Sequence, residues 1–202
     1  MIILFYLWFT LPAFSKPCHY DYTIWNAHKK MSVGPFHVSK DSNLLDKKEK
    51  GPLGCTICEE DQKKITLKNQ ISFLICHKIA DKVQKAMNQI LSQGLEIKTV
   101  IAYRPSISKG ELNSKGERTL FSNHAYGVAF DINENFNGLY ENCLHWNSAC
   151  ILRKAGRYEP SNPLSIKEGD PFTRILKANG FMWGGAIAGQ QKDFMHFSPD
   201  GH

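Results

Sequence analysis

Four residues in this chain combine types and spacing that suit metal-assisted hydrolysis. His124 and Asp131 lie in the stretch SNHAYGVAFDIN, and Asp193 and His196 lie in KDFMHFSPDGH. A catalytic zinc takes three protein ligands from His and Asp or Glu and keeps a fourth position for water. A neighbouring carboxylate that is not a ligand can then accept the proton of that water. Two histidines and two carboxylates meet that need, with one carboxylate to spare. Around Asp131, Gly127 and Ala129 fall at alternate positions, so an extended chain puts them on one face with the carboxylate. Val128, Phe130 and Ile132 take the other face, which is apolar enough for a core. Asp193 and His196 are three apart, and a straight strand would point them to opposite faces. Asp193 must therefore sit in a turn or bulge to reach the same site.

The surrounding elements follow from periodicity. Phe73, Cys76, Ile79, Ala80, Val83, Ala86, Met87, Ile90 and Leu91 recur every three or four residues, predicting an amphipathic helix from about residue 73 that stops at Gly94. The segment LEIKTVIAY alternates as a strand and ends at Arg104-Pro105. Residues 106–118, rich in Ser, Gly and Lys, read as an exposed loop. A second helix is expected within 166–179, most firmly over 171–178, ended by Gly180, and the last stretch carries a short strand. This order predicts an α+β domain with a small, mainly antiparallel sheet and flanking helices.

Composition agrees with a folded domain: 202 residues, 42% hydrophobic and 22% charged. The net charge of +6 favours anionic partners, but no basic run is dense enough to argue for nucleic acid. An apolar run from Ile2 to about Phe14, then Ala13-Phe14-Ser15, fits a cleavable secretory signal over residues 1–15, although no Lys or Arg precedes the run. The run is too short to span a bilayer comfortably, and no other stretch is apolar enough. Residues 16–64 read as a loop-rich, cysteine-bearing arm broken by Pro17, Gly34-Pro35, Gly51-Pro52 and Gly54. Residues 65–202 read as the main domain. All six cysteines follow the signal, and an exported chain with an even count suggests disulfides. Cys143 and Cys150 bracket a short loop and make one expected bridge. Cys55 and Cys58 have the spacing of a redox pair but lack a thioredoxin-like setting. With Cys76 and His77 they match no strong zinc spacing.

Together the motifs resemble a known family. The pattern S-x-H-x-x-G-x-A-x-D from Ser122 to Asp131, then Trp183-Gly184-Gly185, then D-x-x-H-F from Asp193 to Phe197, resembles the peptidoglycan-cleaving zinc peptidases of family M15. These are D-alanyl-D-alanine carboxypeptidases and L-alanyl-D-glutamate endopeptidases. The resemblance runs over about residues 66–200 and excludes the arm and the Cys143–Cys150 segment. It implies one zinc ion held by His124, Asp131 and His196, with Asp193 as general base. It implies that Arg104 holds a substrate carboxylate or carbonyl and steadies the oxyanion, and that Ser122 and Trp183 help to shape the substrate site. Asp193 together with the W-G-G run looks more like the endopeptidase branch. The segment AIAGQQK departs from the branch, which often carries an acidic and an aromatic residue there. The implied protein is a secreted or periplasmic monomer acting on peptidoglycan peptides. The alternative is a zinc-containing wall-peptide-binding module that does not cut, and the intact Asp193 argues against it.

Overall fold

The computed structural model describes residues 16–202. The leader read in residues 1–15 lies outside the described residues.

Two strands, β1 (Pro17–Asn26) and β2 (Met31–Asp41), form an antiparallel hairpin. The arm is thus more regular than its breakers suggest. Cys18 and Tyr20 are buried while His19 and Asp21 are exposed, the period-two pattern of a half-buried strand. Pro35 is tolerated because β2 is an edge strand, where a missing N–H breaks no inner ladder. Residues 42–61 are loop-rich, as expected, with four single 3-10 turns.

A second hairpin, β3 (Gln62–Thr66) and β4 (Ser72–Cys76), precedes α1 (His77–Ser92). The helical periodicity therefore starts too early: Phe73 and Cys76 belong to a strand. Their spacing fits both periods, and the alternation of buried Phe73 and Ile75 with exposed Leu74 is what the sheet uses. From Ile79 to Ile90 the apolar stripe is buried as read.

Only Val100–Ile101 of the LEIKTVIAY segment forms a ladder, as β5. Upstream, Asn133 takes the place of a partner strand: its Oδ1 accepts from Lys98 and Thr99 N–H, and its Nδ2 donates to Glu96 O. The expected loop at 106–118 is instead a hairpin, β6 (Ser106–Leu112) and β7 (Arg118–Phe121). Its composition hid it, because little of it is buried. Asn113 closes the turn by accepting from Lys115 and Glu117 N–H. Strand β1 pairs in parallel with β6, so the arm hairpin and this one share the sheet β2-β1-β6-β7.

The remaining strands are β8 (Phe130–Ile132), β9 (Leu139–Glu141), β10 (Ile151–Lys154), β11 (Met182–Trp183), β12 (Lys192–Asp193) and β13 (His196–Ser198). They make two antiparallel sheets, β11-β13-β8-β5 and β10-β9-β12. Helix α2 (Pro171–Ala178) starts as its sequence suggests: the Asp170 side chain caps it, accepting from Thr173 N–H at 2.9 Å, and Pro171 takes the first turn. It packs on α1 and β11. Phe130, Phe181 and Phe197 meet ring to ring in the core behind β8 and β13. The α+β architecture with small antiparallel sheets holds.

Three disulfides brace the molecule: Cys18–Cys58, Cys55–Cys76 and Cys143–Cys150. The last is the expected one. The first two part Cys55 from Cys58, so there is no C-x-x-C redox bridge.

Candidate metal centre

His124 rides on a 3-10 turn, Asn123–Tyr126, that ends at Gly127 with φ +62°. Gly127 thus sits in a turn rather than in the strand run with Ala129 and Asp131. A Cβ there would fall 2.0 Å from Gln62 Oε1 and 2.7 Å from Cys76 N, so both the backbone conformation and the close approach require glycine. The Nδ1 of His124 lies 2.8 Å from Ala102 O. A carbonyl only accepts, so Nδ1 carries the proton and the Nε2 lone pair faces the site.

Asp131 occupies the centre of β8, directly opposite His196 of β13 and Ile101 of β5. Facing residues of an antiparallel pair project to the same side, so register alone brings Asp131 and His196 together. The result is a triangle of donor atoms. His124 Nε2 is 3.1 Å from Asp131 Oδ1 and 3.2 Å from His196 Nδ1, and His196 Nδ1 is 3.0 Å from Asp131 Oδ1. Tetrahedral zinc with bonds of ~2.0–2.1 Å has ligand–ligand edges of roughly 3.3–3.4 Å. The observed triangle is a slightly contracted face of that tetrahedron, and all three residues are buried. One carboxylate and two imidazoles converging on a point suit zinc in both chemistry and reach.

The electrostatics are those of a closed cluster. Burial pushes the Asp131 carboxyl up, but the charges and hydrogen bonds of His124 and His196 outweigh it and hold it well below the usual range. Burial drives His124 down. His196 feels the same penalty but is raised by its bond to Asp131. Its Nε2 has no hydrogen-bond partner among the described residues.

Asp193 ends β12, and a turn at Phe194 and Met195 leads into β13. That turn moves the chain from one sheet to the other and is the bend that the three-residue spacing demanded. Gly184 presses on it: a Cβ there would lie 2.5 Å from Asp193 O and 3.2 Å from His196 Cβ. A Cβ on Gly185 would lie 2.3 Å from the Trp183 ring. The Trp183 indole N–H donates to Phe194 O at 2.8 Å, bracing the same turn. The W-G-G run is thus the bed on which Asp193 and His196 rest. Asp193 Oδ1 is buried with no partner among the described residues. Burial first, then the Asp131 charge, push its carboxyl up to about 6, against the opposing fields of His196, Lys109 and Lys154.

Arg104 follows β5. Its N–H donates to His124 O at 3.0 Å, its guanidinium comes within 4.0 Å of Asp131 Oδ2, and its side chain is half-exposed. Ser122 is buried at the head of the His124 turn, where its carbonyl accepts from Ala125 N–H. Tyr103 serves structure: its hydroxyl donates to Ile57 O at 2.7 Å. Trp146 lies on the loop that the Cys143–Cys150 bridge closes. It turns inward against Tyr140, Tyr158 and Phe194, beside a cleft of about 430 Å³ that Trp183 also lines. Sequence reasoning missed Ala102, which acts through its backbone, and the two lysines whose fields reach Asp193. Lys109 lay hidden in the supposed loop.

A family model described as D-alanyl-D-alanine carboxypeptidase, within peptidase family M15, matches residues 115–199. The matched segment holds His124, Asp131, Trp183, Asp193 and His196, while Arg104 and the arm lie outside it. No curated protein and no solved structure gives a significant match.

Proposed function

We propose, taking as premise the family M15 kinship of residues 115–199, that this protein is a zinc-dependent peptidase of peptidoglycan stem peptides. It acts as a D,D-carboxypeptidase or an L-alanyl-D-glutamate endopeptidase. The observation that carries this reading is the buried His124–Asp131–His196 triangle with the partnerless Asp193 carboxylate beside it. Zinc held by His124 Nε2, Asp131 Oδ1 and His196 Nδ1 would supply a Lewis acid and a water of pKa about 7.

The protein's own groups then have distinct tasks. The Ala102 carbonyl keeps His124 in the ligating tautomer. Asp193 Oδ1 makes no competing hydrogen bond, so it is free to take a proton from water. A carboxyl poised at about 6 can also release that proton to a departing amine near neutral pH. Arg104 offers a planar fork of N–H donors that suits a carboxylate. Aimed at a developing oxyanion, one such donor contributes roughly 3–4 kcal/mol. Ser122 shapes the floor beside His124, and Trp183 holds the turn that carries Asp193. Three disulfides suit an oxidising compartment, which favours a secreted or periplasmic site of action. Among the described residues no helix is long and apolar enough to cross a membrane.

The test is mass spectrometry of peptidoglycan fragments after incubation with the zinc-loaded protein, beside Asp193→Ala. Loss of one terminal alanine identifies a carboxypeptidase, and a cut after L-alanine an endopeptidase. Asp193→Ala is expected to retain zinc and to lower kcat by about 10²–10⁴-fold. Zinc binding without any change in the fragments would favour the non-cutting module instead.

A further inference from the structure

The Asp193 side of the site carries positive charge that the chemistry above does not use. Lys154 and Lys109 both act electrostatically on the Asp193 carboxyl, and Lys109 also acts on His196. Neither ammonium has a hydrogen-bond or ion-pair partner among the described residues.

The position of Lys154 follows from register. In the sheet β10-β9-β12, Lys154 pairs with Leu139, and Leu139 pairs with Asp193. Residues paired across antiparallel strands share a face. Lys154 and Asp193 therefore project to the same side, two strand spacings or roughly 10 Å apart at the backbone. A lysine side chain covers much of that gap. The strand is firmly mounted. The Cys143–Cys150 bridge closes the loop between β9 and β10. Just beyond Lys154, Gly156 N–H donates to Glu134 O at 2.9 Å, on the turn that follows β8. Gly156 lies so close to that turn that a Cβ would sit 1.8 Å from Asn135 O. Lys154 is thus fixed to the segment that carries Asp131. Lys109 comes from another element, β6, at a point where the pairing register shifts on either side of it.

We propose that Lys154, with Lys109, forms an anion-binding position beside Asp193 that takes a free carboxylate on the leaving-group side of the scissile bond. The proposal rests on the peptidase reading. Asp193 hands its proton to the departing amine, so its neighbourhood borders the residue that leaves. Arg104 stands apart, at Asp131. The class of substrate is a peptide whose residue after the cut keeps its carboxylate unmodified, and amidation of that group removes its partner.

The experiment compares two peptides, L-Ala-γ-D-Glu-L-Lys-D-Ala-D-Ala with its carboxylates free and the same peptide with them amidated. Both are offered to the zinc-loaded full protein, Lys154→Met, Lys154→Arg and the Lys154→Met/Lys109→Met pair. Lys154 is exposed on an edge strand, so the variants are expected to fold, and thermal melting checks this. For the free peptide, Lys154→Met is expected to raise KM about fivefold, the upper end for a solvent-exposed charge pair, with kcat within about twofold. The double variant is expected to lose more, and Lys154→Arg to keep the wild-type KM. For the amidated peptide all four proteins are expected to match. An equal loss on both peptides, or no loss on either, overturns the proposal. Calorimetric binding of the same peptides gives a second readout. Should the wild type cut neither peptide, the peptidase reading fails. A binding preference for the free peptide that Lys154→Met abolishes would then still support the anion position, and equal binding would overturn it.

Discussion

The metal-site sheet and the cysteine-braced arm are stabilised by different means. The sheet β11-β13-β8-β5 carries Asp131 and His196 on strands of only two or three residues. Such strands are too short to be stable alone. They hold their register because both faces of β8 are buried and glycines admit close packing at Gly127 and Gly184. The arm has long strands and two disulfides, Cys18–Cys58 within it and Cys55–Cys76 tying it to β4. The two regions meet around the His124 turn. Tyr126 donates to Lys48 O, Tyr103 to Ile57 O, and Cys76 N–H to Gly127 O. The arm is therefore a brace for His124 and Arg104, and it spares the short strands from supplying all of their own stability.

The largest effect should come from within the sheet. Asp131→Ala removes one of the three clustered donor groups and the negative charge that faces both buried imidazoles. Bound zinc is expected to fall from about one per chain to under ~0.1, with turnover lost. Metal analysis after dialysis checks this. Retention of zinc would show that Asp131 is not a ligand.

Next come the disulfides, which separate the regions by loop length. The chain-entropy relation gives about 4 kcal/mol for Cys18–Cys58, ~3 kcal/mol for Cys55–Cys76 and ~2 kcal/mol for Cys143–Cys150, whose separations are 40, 21 and 7 residues. Paired Cys→Ala variants should melt in that order in denaturant. The Cys55/Cys76 pair should also weaken zinc binding, since the bridge anchors the Cys76 backbone whose N–H holds Gly127 O. A zinc affinity untouched by its loss would break the view of the arm as a brace.

Tyr103→Phe is smaller. It leaves Ile57 O without its donor and should cost about 1 kcal/mol of stability, with zinc content unchanged.

The smallest effect belongs to the arm alone. Glu49 is buried; burial raises its carboxyl, but hydrogen bonds from Lys40 and Tyr20 outweigh that and hold it below the ordinary value. A carboxyl depressed in the folded state stabilises above its unfolded pKa of about 4.3. That contribution fades as the pH falls through the folded value. Acid melting curves should therefore flatten for Glu49→Gln below about pH 4.3 relative to wild type. Unchanged curves would place the acid sensitivity elsewhere.

Local patterns made part of this legible. The stripe from Ile79 to Ile90 and the capped start of α2 lie within single elements, where short-range spacing decides. The candidate ligands were legible because metal chemistry restricts residue type so strongly. The hairpins at 17–41 and 106–121 were not. Their polar faces lie open to solvent, which hides the period-two pattern, and the two hairpins are joined to each other by a short parallel pairing of Thr23–Ile24 with Ser106–Ile107, far apart in the chain. The same holds for Lys154, which shares a face with Asp193 only through Leu139 of an intervening strand.

The sequence by itself determined which atoms could bind a metal and that Asp193 needed a turn before His196. It did so because donor type and strand period are local properties. Only the tertiary structure decided that Asp131 faces His196, that Ala102 sets the tautomer of His124, and how Cys18, Cys55, Cys58 and Cys76 pair. Those depend on register and on contacts between distant segments, which folding creates and no local spacing encodes.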